Sequence, residues 1–239
     1  MEDVQIFVIF HEEIFDECYE KIPDDILYKY FTFFAVNEKR QKTYTPNKYK
    51  VIYEWDLPIY SSKFQTLGYN ENSAIYHVYM NNLHNNYKYI GFCQYDMEFD
   101  DNVISFLQQN IEIPTSFILS VHDFFYCSFS TWNEPNTLQY IVNDYSKFFN
   151  KHFDTTCMYP LFNTYIIPTE NYEKIMSWIV QLIDKIYPWC IEPPNMDHHG
   201  HIGGIYERIM AYAIGNEHLR YIKLNISHDH KYKKICNSK

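Results

Sequence analysis

Residues 87–98 read Tyr87-Lys88-Tyr89-Ile90-Gly91-Phe92-Cys93-Gln94-Tyr95-Asp96-Met97-Glu98. An apolar run that short and that continuous predicts a strand buried on both faces, the kind found in parallel sheets covered by helices. It passes without a break into the acidic Asp96-Met97-Glu98. That places two carboxylates at the carboxyl end of a central strand, where open α/β sheets bind their ligands.

The same pattern recurs on either side. Residues 4–10 (VQIFVIF) and 30–36 (YFTFFAV, closed by Asn37) predict two more buried strands, and VIYEW from Val51 a shorter one. Further strands are expected at 115–121, 161–167 and 219–224. Between them, apolar residues at i, i+3, i+4 and i+7 predict helices at 71–83, 103–109, 137–149, 170–187 and 203–214. Asn70 is the expected N-cap of the first. Residues 11–25 read as a polar, acidic segment broken by Pro23, and 38–50 as a basic loop. Strands alternating with helices predict an α/β fold with a mostly parallel central sheet flanked by helices. With no linker or repeat, a single domain over 1–227 is expected, followed by a polar basic tail, 228–239.

Composition narrows the function classes. The 239 residues are 46% hydrophobic and 19% aromatic, which supports a sizeable core and excludes a disordered chain. A formal net charge of −10 disfavours the nucleic-acid backbone as a partner. No apolar stretch approaches the ~18 residues of a membrane span. The acidic start is unlike a secretory signal. The six cysteines are scattered, with no C-x-x-C pair, so free thiols in a reducing cytoplasm are expected. With six glycines and no G-x-S-x-G, G-x-x-x-x-G-K or G-x-G-x-x-G, the commonest hydrolase, P-loop and dinucleotide motifs are excluded. A bound phosphate would have to be met by a metal instead of a glycine cradle.

Three constellations carry candidate chemistry. Asp96 and Glu98 are hard oxygen ligands at i and i+2, suited to Mn²⁺ or Mg²⁺ with a diphosphate completing the shell. Asp197-His198-His199-Gly200-His201 offers imidazoles to a metal or a diphosphate, or is simply an exposed histidine loop. Glu207 flanks the apolar stripe of Ile202, Ile205, Tyr206, Ile209 and Met210 near a helix start. It either pairs with Arg208 at the surface or points into a site, and the helix dipole is expected to lower its pKa. Tyr69, Tyr95, Trp132 and Trp189 could stack on a base or sugar, although most aromatics here must be core.

Ordered blocks from about residue 4 to 214 resemble a bacterial family of polysaccharide-building glycosyltransferases. Asn70-Glu71-Asn72-Ser73-Ala74-Ile75-Tyr76 resembles its N/C-E-x-T-A-x-Y helix, and Tyr89-Ile90-Gly91-Phe92-Cys93-Gln94-Tyr95 its Y-I-G-L-C-H-Y-R strand. The segment 157–178, with Asn163, Tyr172 and Trp178, resembles its N-M-F-I-M…F-x-x-Y…W unit. Gly203 to Met210 resembles its G-Y-I-x-E-R-L-L helix, and Ile9-Phe10-His11 its x-x-H-K strand end. Where that family has His-Tyr-Arg, this chain has Gln94-Tyr95-Asp96, followed by Glu98. In this it is similar to the compact glycosyltransferases of large algal DNA viruses, whose acidic motif binds a divalent metal.

The resemblance implies a GT-A fold, with a nucleotide-binding half at about 1–100 and an acceptor half at about 101–227. It implies transfer of a sugar from a nucleotide-diphosphate sugar, UDP-linked by preference, to a glycan or glycoprotein acceptor. The donor is expected near Phe10, His11, Val36, Asn37, Asn70, Tyr95 and Asp96. The Mn²⁺ or Mg²⁺ is expected on Asp96 and Glu98, with His201 completing the site. In an inverting reaction Glu207 is the expected base. The expected compartment is the cytoplasm, a host's if the chain is viral. Two rivals stand beside this: a metal-dependent hydrolase built on His198 to His201, and a non-catalytic carbohydrate-binding domain.

Overall fold

The computed structural model describes residues 2–42, 48–66, 68–108, 135–160, 162–190, 202–224 and 226–227. Five strands form the central sheet in the order β3-β2-β1-β4-β6. They are β1 (Glu2–Phe10), β2 (Phe31–Ala35), β3 (Val51–Tyr53), β4 (Tyr87–Gln94) and β6 (Tyr165–Pro168). β1 pairs in parallel with β2 and β4, β2 in parallel with β3, and β6 closes the edge antiparallel to β4. The mostly parallel α/β sheet expected from the apolar runs is therefore present. It joins residues from both sides of position 100.

The alternation of side chains along β1 divides the core in two. Val4, Ile6, Val8 and Phe10 face α1 (Asp24–Tyr30) and α4 (Asp101–Gln108), packing with Tyr19, Leu27, Val103 and Leu107. Phe7 and Ile9 face the other layer, made of α3 (Asn72–Met80), α5 (Pro135–Phe149), α6 (Thr169–Cys190) and α7 (Ile202–Gly215). A short α2 (Lys63–Thr66) leads into that layer. Burial on both faces is why neither β1 nor β2 shows a period of two in its sequence.

Several boundaries differ from expectation. The polar segment 11–25 buries Ile14, Phe15, Cys18, Tyr19 and Ile22 and leads into α1, which begins after Pro23 with Asp24 and Asp25 in its first turn. Two helical turns are too short for a periodic signal, but acidic residues after a proline are a start signal. The VIYEW strand ends at Tyr53, because Glu54–Asp56 winds into a 3₁₀ turn. Strand β6 starts at Tyr165, because Phe162 and Asn163 take left-handed φ of 56° and 47°. Residues 219–224 are irregular, and the last strand is β7 (Ile226–Ser227), antiparallel to β5 (Glu98–Phe99). Asn70 does not cap α3: it has a left-handed φ of 52°, and Glu71 precedes the helix without a side-chain cap. The strand expected at 115–121, the Trp132 and Trp189 side chains, the loop 197–201 and the tail lie outside the described residues.

Helix α7 is apolar on most of its circumference and is correspondingly buried. Its N-terminus lies against the 68–70 turn. Asn72 donates from Nδ2 to the Gly203 carbonyl at 2.8 Å, and the Tyr69 and Tyr206 rings stack at 5.5 Å. A Cβ at Gly203 would stand 2.7 Å from the Gly68 carbonyl oxygen and 3.0 Å from that of Tyr69. Backbone cannot yield as a side-chain tip can. Gly203→Ala is therefore expected to lower stability by roughly 1–3 kcal/mol, read as a fall in the denaturant midpoint at unchanged m.

Candidate active site

In the order β3-β2-β1-β4 the chain leaves β1 in one direction and returns on its other side. The topological switch point thus lies between β1 and β4, whose carboxyl ends carry His11 and Tyr95. Asn37, just past β2, donates from Nδ2 to His11 Nδ1 at 2.6 Å. His11 Nε2 meets Glu71 Oε1 at 3.0 Å, from the residue that precedes α3. The Tyr95 ring stands edge-on to the imidazole with centroids 6.2 Å apart, and the Phe15 ring packs on Tyr95 with centroids 5.1 Å apart. Gln41 Nε2 ties the two strand ends together, donating to the His11 and Val36 carbonyls at 2.6 and 2.9 Å. His11, Asn37 and Tyr95 are thus brought to one place. Phe10 and Val36 are each 1% exposed and belong to the core, so they offer a ligand backbone and not side chain. Asn70 turns its amide nitrogen to Gly203 at the start of α7.

Glu207, on the second turn of α7, lies within electrostatic reach of Glu71. The left-handed turn at Phe162 aims a backbone N–H at its Oε1, 3.1 Å away. Burial pushes the Glu207 carboxyl up to about 7, and the Glu71 carboxylate pushes the same way, against Arg208 and the Phe162 N–H. This corrects the expected lowering by the helix dipole. The dipole acts on the first turn, which Glu207 has passed, and desolvation outweighs it there. Burial also draws the neighbouring Arg208 down to about 10. Its guanidinium donates to the Gly204 carbonyl at 2.7 Å. Glu71, in contact with His11 and electrostatically coupled to Glu207, links those two residues. In the sequence Glu71 carries no signal beyond its place in the 70–76 segment, because only the fold brings His11 to it.

Among solved structures, the bifunctional glycosyltransferase WbbM shares this fold with a TM-score of 0.66 at 14% identity, over 94% of this chain and 45% of that one. The fold is that of a glycosyltransferase. Matches to the mannosyltransferase Ktr4p of S. cerevisiae (12% identity, 94% of this chain and 70% of that one) and to mouse xyloside xylosyltransferase 1 (13%, 93% and 85%) have TM-scores of 0.35 and 0.39. The chain spans less than half the length of WbbM. No family model and no curated protein matches the chain.

In this glycosyltransferase fold the acidic pair departs from a solvated turn. Asp96 is only 3% exposed. Its charge, after burial, helps to raise the Tyr19 phenol and the Cys93 thiol above their ordinary values. The reason is the tight turn closed by the Met97 N–H on the Gln94 carbonyl at 3.3 Å. It plants Met97 and Phe99 in the core and draws Asp96 below the surface. Glu98 is half-buried and lines an open cleft of about 770 Å³ with Glu17, Lys21, Asp100, Asp101 and Lys223. The lining of that cleft contains none of His11, Asn37, Glu71 and Glu207. Among the described residues no group of three or more His, Cys, Asp or Glu side chains could by itself hold a metal ion. The donor chemistry of Asp96 and Glu98 nevertheless suits Mg²⁺ or Mn²⁺, which commonly take one or two protein carboxylates and fill the rest of the shell with phosphates and water. His198, His199 and His201 lie outside the described residues.

Proposed function

We propose that the chain transfers a sugar from a nucleotide-diphosphate sugar, UDP-linked by preference, to a hydroxyl of a glycan or glycoprotein acceptor. The observation that carries this reading is Glu207. In a glycosyltransferase fold, it sets a carboxyl that burial pushes up to about 7 within electrostatic reach of Glu71, which meets His11 at the strand ends where such folds bind ligands. In an inverting transfer, the acceptor oxygen bonds to the anomeric carbon as that carbon's bond to the diphosphate breaks. The hydroxyl proton passes to Glu207, and the nucleoside diphosphate leaves. Asp96 and Glu98, with His201, are the residues proposed to hold Mn²⁺ or Mg²⁺, which when bound supplies positive charge to the departing diphosphate. His11, Asn37 and Tyr95 form the polar and aromatic wall on the donor side.

Among the described residues no helix is long and apolar enough to cross a membrane, and Cys18, Cys93 and Cys157 are buried thiols that form no disulfide. Unbridged thiols accord with a cytoplasmic site of action.

A thermal-shift panel of nucleotide sugars, with and without Mn²⁺, tests the reading. A bound donor at about a hundred times its Kd stabilises the fold by ~2.7 kcal/mol. The expected result is a rise in Tm of several degrees with one nucleotide class, larger in Mn²⁺. A panel in which no nucleotide sugar moves Tm, with or without metal, overturns it.

A further inference from the structure

Outside the crevice, Glu54 and His77 are both fully buried, each 0% exposed. A buried charge of this kind has to be held by donors. The Glu54 carboxylate accepts from the Asn37 backbone N–H at 3.1 Å on Oε1. On Oε2 it accepts the Ser73 hydroxyl and faces His77 Nδ1 at 3.3 Å. His77 Nε2 in turn accepts the Ser61 N–H at 3.1 Å, so its proton resides on Nδ1, toward Glu54. The cluster ties the 3₁₀ turn after β3 to α3, and its outer oxygen grips the residue that touches His11.

Asn37 has a left-handed φ of 64°, a conformation that asparagine tolerates but that needs holding. With its N–H fixed on Glu54, its side-chain amide donates to His11 Nδ1 at 2.6 Å. An imidazole nitrogen that accepts a hydrogen bond carries no proton, so the proton of neutral His11 sits on Nε2, 3.0 Å from Glu71.

We infer that Glu54 is a positioning residue: through Asn37 it sets the tautomer and orientation of His11, so that Nε2–H faces Glu71. The consequence for turnover rests on the glycosyl-transfer reading, because Glu71 is the carboxylate next to Glu207. The tautomer is a property of the substrate-free chain.

The test is nitrogen NMR of the full chain labelled with ¹⁵N-histidine, at a pH where imidazoles are neutral. His11 is assigned by difference from His11→Gln. In the parent, His11 is expected to show one species, protonated at Nε2 and bare at Nδ1. Glu54→Met fills a similar volume but leaves no acceptor for the Asn37 N–H, so the Asn37 turn is released and the single species gives way to a mixture of tautomers. Glu54→Gln keeps an oxygen for that N–H and is expected to retain the single species. Asn37→Asp leaves the Glu54 cluster in place but turns the donor into an acceptor, so Nδ1 is expected to gain a proton. This keeps the route through Asn37 testable if Glu54→Met fails to fold. A parent protonated at Nδ1, a folded Glu54→Met with the parental spectrum, or an Asn37→Asp with Nδ1 still bare would each overturn it. No substrate is present in these spectra, so their outcome is separate from that of the nucleotide-sugar panel.

Discussion

Glu207→Gln lowers kcat by roughly 10²–10⁴-fold while donor affinity stays near parental, because a base acts on the acceptor hydroxyl only in the transition state. Gln keeps the shape of the side chain and an oxygen for the Phe162 N–H, so the crevice is preserved. The parent's kcat is expected to rise with pH through an inflection near 7, as Glu207 loses its proton against burial and the Glu71 charge, with Arg208 opposing. That inflection is absent from the variant. Stability moves the other way. The folded carboxyl titrates near 7 and the unfolded one near its ordinary 4.5, so between those values the folded state binds more protons. The parent therefore loses stability as pH rises from 4.5 to 7, and the loss is complete above 7. Gln mimics the protonated form. The variant should match the parent in Tm below pH 4.5 and exceed it at pH 8, where its advantage in unfolding free energy is roughly 1–3 kcal/mol after solvent screening of a half-buried group. Near-parental kcat in the variant would remove Glu207 as the base. A lower Tm at pH 8 would show that it serves as a structural anchor.

Asp96→Asn is expected to abolish the Mn²⁺-dependent part of donor stabilisation in the thermal-shift assay, while Tm without ligand changes little. Asparagine fills the same volume, which matters because Asp96 is buried beside Tyr19 and Cys93. An alanine there would open a gap in the core and confuse a metal effect with a folding one. The amide offers the cation one neutral oxygen in place of a charged carboxylate, a weaker ligand for a hard ion. At saturating donor the whole stabilisation attributable to the metal, of order 2–3 kcal/mol, should be lost. If Mn²⁺ raises the donor-bound Tm of Asp96→Asn as much as that of the parent, Asp96 does not hold the metal.

The fold was legible where burial repeats locally. Val4 to Phe10, Phe31 to Ala35 and Tyr89 to Cys93 carry no polar side chain other than Gln5, Thr32 and the Tyr89 phenol because both sheet faces are covered, and a run of that kind survives in one dimension. Helix α6 was legible because its stripe runs through Tyr172, Ile175, Trp178, Ile179, Leu182 and Ile186, several turns that all face the core. What escaped was short or chain-reversing. Helix α1 has seven residues and no room for a period. Asn70, Phe162 and Asn163 depart from the expected cap and strand through left-handed backbone that their neighbours impose.

At the site, the sequence by itself determined which chemistry could be present: a histidine and an asparagine past two strand ends, an acidic turn after a third, and a glutamate on an apolar helix. Those follow from residue type and from position relative to a strand or helix. Only the tertiary structure decided what each group does there. It put Glu71 against His11 across 60 positions of chain and brought Glu207 near enough to Glu71 for their charges to repel. It sank Asp96 into the core, and it turned an expected lowering of the Glu207 pKa into a rise. The reason is physical. Periodicity is a local property that neighbouring residues carry, whereas burial and the field at a carboxylate are set by whatever the fold packs around it. Here the groups that matter come from residues 11, 37, 71, 162 and 207, which no window of sequence contains together.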